Sequence, residues 1–508
     1  MVPDDETSEL RNASQVDLLW LLVVTTVFLI FASFLVGTGI AAEMLHDLRD
    51  WYAGDTWIVI TAALAAMACA LPGVFLVLRR QSMMGDALSH TVLPGIVLAF
   101  LFAHTLLATG WITSQTYGSI FHFALFSGAV IIGIASALMT EWLQKHGGVE
   151  SSAALGVVFT TFFAIGLILI RKYANVVHID PDCVLYGAVE VVGAEPGIPT
   201  ATMTVGAIVL INLLLVGIFY KELALCSFDP SLATSLGFKA AWVHYVLMGI
   251  TAATLVAVFQ IVGSILVIAM LIVPATTARL LTDRLSIMIV LSLCIAGLSA
   301  LLGHVLALTL PPIVFQPMGF ETVTEGSAST SGMMALACGI LFVTALLFAP
   351  RHGLASKFLH RSRLTIRIAA EDLLGLLYRL QEREPGKPKV SQSTVDMFAQ
   401  KAGVSPLLRR VAMFRLQQIG QVAVDEIGYN LTDRGKRAAQ ELVRSHRLWE
   451  AFMAKHFELP DDHLHESASR VEHFLDSSLR EKLAGELEEP GQDPHGKDIP
   501  PESESTKP

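Results

Sequence analysis

Ten apolar stretches follow one another through the first 350 residues of this 508-residue chain, near 18–42, 57–78, 91–108, 119–142, 153–170, 201–220, 241–258, 262–280, 285–310 and 332–349. Each approaches the roughly 20 residues that an α-helix needs to cross a bilayer. Backbone inside lipid must satisfy its own hydrogen bonds, so the run specifies a bundle of membrane-spanning helices. With 53% hydrophobic and 16% charged residues, the chain is neither a soluble single domain nor a disordered protein. Residues 1–350 hold 11 of the 35 Lys and Arg and 21 of the 45 Asp and Glu, which leaves 24 of each sign for the last 158. The expected fold is an all-α polytopic membrane domain of nine or ten transmembrane helices over residues 1–350, followed by a soluble domain. The count turns on Phe259-Gln260-Ile261, a connection that either reverses the chain or joins two halves of one broken helix.

Ten spans divide the loop cations unequally. One set of loops holds Arg79, Arg80, Lys145, Lys221, Lys239, Arg279 and Arg284 and leads into the basic stretch 351–367, whereas the other holds Arg49, Arg171 and Lys172. Lys and Arg are retained in the cytoplasm, so the soluble domain is expected there. The polar start, MVPDDETSELRNASQ, does not read as a cleavable signal peptide. The five cysteines lack CxxC spacing and read as buried apolar residues.

Polar residues within the spans gather in three places, the pattern of a pathway or a coupling surface. The first runs from Arg79-Arg80 through Gly85-Asp86 and His90 to Pro94-Gly95. The second runs from Lys221-Glu222 through Asp229-Pro230 and Ala233 to Gly237, and the third from Gly263 through Pro274 to Arg279. Pro230 suits the first turn of a short helix, Asp229 its N-cap and Gly237 its end. Asp86 and His90 are four apart and share a helical face. With His178, Asp180, Asp182 and Glu190 as an outer acidic group, they are candidates for a cation path. No GxxxxGK[ST] occurs, so this chain offers no ATP site of that type.

These three motifs, in this order, resemble the permease subunits of bacterial ABC importers for manganese, zinc and iron(II), over about residues 15–350. The resemblance implies a non-enzymatic translocation subunit in the bacterial inner membrane, with Asp229, Pro230, Ala233 and Gly237 docking onto a separate ABC ATPase. It also implies an extracytoplasmic metal-binding protein and a second permease copy or paralogue as partners within the lipid bilayer.

Beyond Pro350 the apolar period becomes that of amphipathic soluble helices. Residues 351–437 carry 16 basic and 8 acidic side chains, and residues 438–508 carry 8 and 16. After a basic linker at 351–364, helices are predicted at Thr365–Glu384, Ser393–Ala402 and Pro406–Ile419, followed by a hairpin of Gln421–Glu426 and Tyr429–Thr432. That is the plan of a winged helix-turn-helix over 365–437, with Ser405, Arg409, Arg410 and Arg415 on the helix that would enter the major groove of operator DNA. A long helix, Asp433–His456, presents His446 and Glu450 at i, i+4. A further helix, Asp461–Leu475, presents His465, Ser469, Glu472 and His473 within one face. Imidazole and carboxylate without thiolate suit Mn(II) or Fe(II), with zinc a third option.

Residues 365–501 resemble the metal-dependent repressors of the diphtheria toxin repressor and manganese transport regulator family. The resemblance rests on Leu431-Thr-Asp-Arg-Gly-Lys436, Ser445-His446 to Glu450, His465 to His473, and Asp493-Pro-His495-Gly496 with Ile499-Pro500. It implies one metal site at His446, Glu450 and His465 and a second at Glu472 and His473, with Asp372 where the family's manganese regulators have Asp. Ser469 and Gly375 depart from that pattern. Residues 438–487 are then metal-binding and dimerisation helices, and 488–508, rich in Pro, Glu and Ser, are expected to be disordered. The reading is a manganese, iron(II) or zinc permease carrying a cytoplasmic metal-responsive DNA-binding domain. The alternative is a membrane-tethered metal-dependent repressor without transport.

Overall fold

A computed structural model describes residues 51–502 except 92, 110–113, 174–186, 188, 316–327, 351, 384–388, 402–403, 426–427 and 458–460. The chain forms two compact units that meet at Ser356–Lys357. The first expected span, 18–42, lies outside the described residues.

The membrane unit is helical: α1 Ala53–Leu78, α2 Ser82–Thr91, α3 Leu93–Ala108, α4 Ser114–Gly147, α5 Ser151–Lys172, a 3-10 helix Val189–Ala194, α6 Thr200–Ile218, α7 Tyr220–Phe228, α8 Pro230–Ser235, α9 Ala240–Val262, α10 Ser264–Leu281, α11 Leu285–Phe315 and α12 Thr330–Phe348. Among the described residues, seven helices are long and apolar enough to cross a membrane, and Leu93–Leu106 and Leu266–Leu281 are shorter apolar helices. Helix α1 is the hub and packs against α6, α9, α10 and α11. Its run of Ala62, Ala65, Ala66, Ala68, Cys69 and Ala70 is at most 1% exposed. Small side chains allow this close approach, which drives helix association in lipid. At Gly73 a Cβ would stand 1.8 Å from the carbonyl oxygen of Leu271, so α1 and α10 touch backbone to backbone. Polar ties cross the same core: Asn212 donates from Nδ2 to the Ala68 carbonyl at 3.1 Å and to Thr254 Oγ1 at 2.9 Å. The connection expected at Phe259-Gln260-Ile261 lies slightly later, because α9 continues to Val262 and the chain breaks at Gly263, where φ is +85°.

The C-terminal unit contains α13 Leu354–Arg383, α14 Gln392–Lys401, α15 Pro406–Gln418, β1 Val422–Asp425, β2 Gly428–Leu431, α16 Asp433–His456, α17 Asp461–Val471, a 3-10 turn Glu472–Phe474 and α18 Ser477–Glu486. Its first core joins Leu373, Leu374 and Leu377 of α13 to Val395 of α14, Ala412, Met413 and Leu416 of α15, and the hairpin residues Val422 and Leu431. The strands are antiparallel, in register from Val422 opposite Leu431 to Asp425 opposite Gly428.

Three expectations are corrected here. The basic segment 354–364, expected as linker, is helical and continuous with α13. The helix expected to run from Asp461 to Leu475 stops at Val471, and Glu472–Phe474 tighten into a 3-10 turn. Residues 488–502 are ordered where a disordered tail was expected over 488–508, of which 503–508 lie outside the described residues: Ile499 is buried, Arg444 donates to the Pro500 carbonyl at 2.7 Å, and Arg447 donates to the Asp498 carbonyl at 2.5 Å. Composition favours disorder only when nothing buries the segment, and here buried Arg447 and part-buried Arg444 of α16 hold its carbonyls.

Candidate metal centres in the C-terminal unit

Helix α16 begins at Thr432, whose Oγ1 accepts from Gly435 N at 3.1 Å, and it places His446 and Glu450 one turn apart on its buried face. Both are nearly inaccessible, at 3% and 2% exposure. Helix α17 packs against α16 and brings in His465. His446 Nε2 lies 3.0 Å from Glu450 Oε1 and 2.9 Å from His465 Nδ1, and His465 Nδ1 lies 3.0 Å from Glu450 Oε1. Hydrogen bonds cannot fill all three edges of this triangle. An imidazole nitrogen either carries a proton or offers a lone pair, so the nitrogen that accepts from the other histidine faces the carboxylate lone pair to lone pair. A cation removes the conflict, and adjacent ligands about 2.1 Å from one ion at right angles stand about 3.0 Å apart. His495, brought back by the tail, has Nε2 at 4.0 Å from the same Glu450 oxygen.

The second cluster lies where the 3-10 turn meets α13. His473 Nε2 is 3.2 Å from Asp372 Oδ1 and 3.9 Å from Glu472 Oε1, and its Nδ1 is 2.9 Å from Glu371 Oε2. Glu371 thus orients the ring and leaves Nε2 free to serve as a ligand, as carboxylates behind metal-bound histidines do. Glu472 links the clusters. Its Oε2 lies 2.5 Å from His446 Nδ1, and Arg379 approaches the same oxygen at 3.5 Å. His446 Nδ1 is buried and makes no hydrogen bond with proper alignment among the described residues. Burial opposes charge on His446, but Glu450 and Glu472 outweigh it and raise its pKa. Burial likewise opposes charge on Glu450, yet His446 and His465 hold it well below the usual carboxylate range. At His473 burial is outweighed by Asp372 and Glu371, which lift the imidazole to about 9. Both clusters are therefore charge-paired groups of mixed N and O donors, a chemistry that fits a borderline divalent cation.

The structure brings Asp372, Glu472 and His473 into one cluster and His446, Glu450 and His465 into another, each with ligand atoms within 4.8 Å of one another. Glu371, Arg379 and His495 were not singled out as site residues. Glu371 adjoins Asp372 on the same helix, and the 3-10 turn that reaches it leaves no periodic signal. Ser469 donates to the His465 carbonyl at 3.0 Å, turned toward its own helix.

Among the residues read for DNA contact, Ser405 caps α15 by accepting from Leu408 N at 3.3 Å, Arg409 pairs with Asp396 at 3.1 Å, and Arg410 is exposed. Arg415 instead lines a cleft of about 300 Å³ with Arg367, Glu371, Glu472, His473 and Arg480. The same helix exposes Leu407, Val411 and Phe414.

In the membrane unit Asp229 caps α8, accepting from Ser231 N and Leu232 N, both at 3.0 Å. Pro230 takes the first helical position and Ala233 is fully buried. Gly237 follows the helix with φ +90°, a conformation that L side chains rarely adopt. Phe228, Leu232 and Leu236 project from α7 and α8 as an exposed apolar group. Asp86 and His90 lie on α2, but their side chains, like residues His178, Asp180 and Asp182, fall outside the described residues.

A multi-helix membrane unit with a short capped helix, joined to a unit with two His and carboxylate clusters, defines a membrane permease carrying a metal-binding domain. The chain belongs to the ABC 3 transport family, which it matches over residues 55–313. Residues 432–501 match the metal binding and dimerisation domain of iron dependent repressors. It is 40% identical over 311 residues to the manganese transport system membrane protein MntD of Bacillus subtilis, covering 60% of this chain and 95% of that one. It is 39% identical over 308 residues to the zinc transport system membrane protein TroD of Treponema pallidum, covering 59% and 76%. A probable metal transport system membrane protein of Chlamydia trachomatis is 26% identical over 450 residues, covering 87% of this chain and 95% of that one.

Proposed function

We propose that the chain is the membrane-spanning subunit of an ATP-driven importer of a divalent transition metal, manganese first and iron(II) or zinc next, governed by its own fused metal sensor. The observation that carries the reading is the presence in one polypeptide of an ABC 3 segment and of two cation-shaped His and carboxylate clusters. A partner ATPase docks on Asp229–Gly237, an extracytoplasmic protein delivers the metal, and a second permease copy or paralogue completes the path. Seven long apolar helices, two shorter ones and the stretch 18–42 together support ten spans, with both ends of the chain in the cytoplasm.

Imported metal fills the two clusters and draws α13, α16 and the 3-10 turn together. Helices α14 and α15 with the hairpin form a winged helix-turn-helix, and operator binding through Ser405 and Arg410 is the proposed output. Arg409, paired with Asp396, and Arg415, which lines the cleft beside the second cluster, contribute less. Purified full-length chain, freed of metal and titrated with Mn(II), tests the sensor: rising thermal stability with metal, reduced by His446→Ala with Glu450→Ala and abolished when His473→Ala is added, is expected. No metal-dependent change would overturn it. Salt dependence of operator binding tests the DNA role, since a phosphate-contacting domain loses affinity steeply as salt rises.

A further inference from the structure

The membrane unit buries another pair of donors, well away from the motifs above. Asp55 lies in the first turn of α1 and His304 in α11, at 4% and 3% exposure. The backbone N of Tyr52 donates to Asp55 Oδ2 at 3.1 Å. His304 Nδ1 is 3.1 Å from Thr330 Oγ1, and Thr330 N donates to Glu190 Oε1 at 2.7 Å. Trp51 packs edge-on to the imidazole, with ring centroids 5.4 Å apart. These contacts fix both side chains and leave Asp55 Oδ1 facing His304 Nε2 at 3.4 Å. Nε2 is buried and hydrogen-bonds to none of the described residues.

A buried polar nitrogen without an aligned hydrogen bond is costly, about 1–3 kcal/mol, so the 3.4 Å contact with Asp55 leaves Nε2 poorly satisfied and open to a better partner. In the same bundle Thr61 and Thr202 pair at 2.6 Å, whereas Ser292 Oγ and Ser331 Oγ, like His304 Nε2, are buried with no hydrogen-bond partner among the described residues. Two ligands about 2.1 Å from one ion stand about 3.4 Å apart at a near-tetrahedral angle. In the tautomer that donates Nδ1–H to Thr330 Oγ1, Nε2 carries the lone pair that an ion needs.

We infer that Asp55 and His304 form a transit site for a divalent transition cation at the extracytoplasmic mouth of the bundle. The location rests on the permease reading and its ten-span orientation. One imidazole and one carboxylate bind borderline divalent ions in preference to alkali ions. Only two protein ligands, with water in the other positions, make the site weak enough to release its ion onward, as passage requires. Through Thr330 and Glu190 the pair also joins α1, α11, α12 and the 3-10 helix, the elements that any opening of this mouth must separate.

Radioactive manganese uptake by cells producing the full chain with its ATPase and binding protein tests the site, each variant being normalised to its abundance in the membrane. Asp55→Asn and His304→Gln should raise the half-saturating manganese concentration by about tenfold or more. Asp55→Glu should stay near the unsubstituted chain. Asp55→Cys, which pairs a thiolate with the imidazole, should make uptake sensitive to cadmium at roughly a tenth of the concentration that inhibits the unsubstituted chain. A purely structural pair would not change metal preference. Unchanged half-saturation in Asp55→Asn, or unchanged cadmium sensitivity in an active Asp55→Cys, would overturn the inference. Loss of uptake in Asp55→Cys at normal abundance, with uptake kept in Asp55→Glu, supports it. Absence of uptake by the unsubstituted chain would instead count against the permease reading.

Discussion

If the second cluster holds metal as proposed, the proton and the metal compete for the same nitrogen of His473. Without metal, Asp372 and Glu371 overcome burial and hold the imidazole charged, with its pKa raised from 6.5 to about 9. A raised folded-state value gives a contribution to stability that is complete below pH 6.5 and lost as pH rises through about 9. Metal takes the neutral ring, so its affinity at this cluster should gain about tenfold per pH unit until the proton is gone near pH 9. Thermal unfolding of chelator-treated and Mn(II)-loaded protein across this range should therefore diverge as pH rises. Parallel curves would contradict the assignment. Glu371→Gln keeps the shape but weakens the hold on Nδ1, and should cost about 10–100-fold in affinity at this cluster, measured by calorimetry, while sparing His446 and Glu450. The latter pair was legible in the sequence because i, i+4 spacing fixes a shared face. Asp372 was reached by family resemblance, and Glu371 was not reached, since adjacent helical residues diverge by about 100° unless a partner approaches from the side.

Elements differ in how far their pattern announces them. The apolar stretches from 57 to 349 each became a helix because length and hydropathy leave the backbone no alternative in lipid. Asp229-Pro230 announced α8 through capping chemistry alone. Asp229→Ala removes that cap, at about 1 kcal/mol of local stability, and should reduce uptake without altering metal binding by the C-terminal unit. The break at Glu472 was hidden, since a helical period counts residues but not the partners that bend a chain away from it. The ordered tail was hidden too. Its fixation depends on Arg447, which is 3% exposed, donates to Glu382 at 3.2 and 2.7 Å, and lies 3.6 Å from buried Asp493. Arg447→Ala leaves buried Asp493 without its cation, although Oδ1 still accepts from His495 N and Lys497 N, and should destabilise the unit by about 3 kcal/mol, readable in denaturant titration. An unchanged midpoint would show that the tail is not held in this way.

For the whole molecule, the net charge of −10 belongs to the first 350 residues, whose few cations sit mainly in the loops assigned to the cytoplasm. The last 158 residues balance to zero, as +8 before residue 438 and −8 after it. The sequence order of these blocks places metal ligands on the same polypeptide as the bundle that would deliver the metal. Manganese uptake by cells producing the chain with its ATPase tests this most directly, measured for the unsubstituted protein and for Asp229→Ala with Gly237→Ala. Saturable, energy-dependent uptake that collapses in the double variant at normal membrane abundance is expected. Equal uptake in both would contradict a coupled importer and favour a tethered regulator without transport.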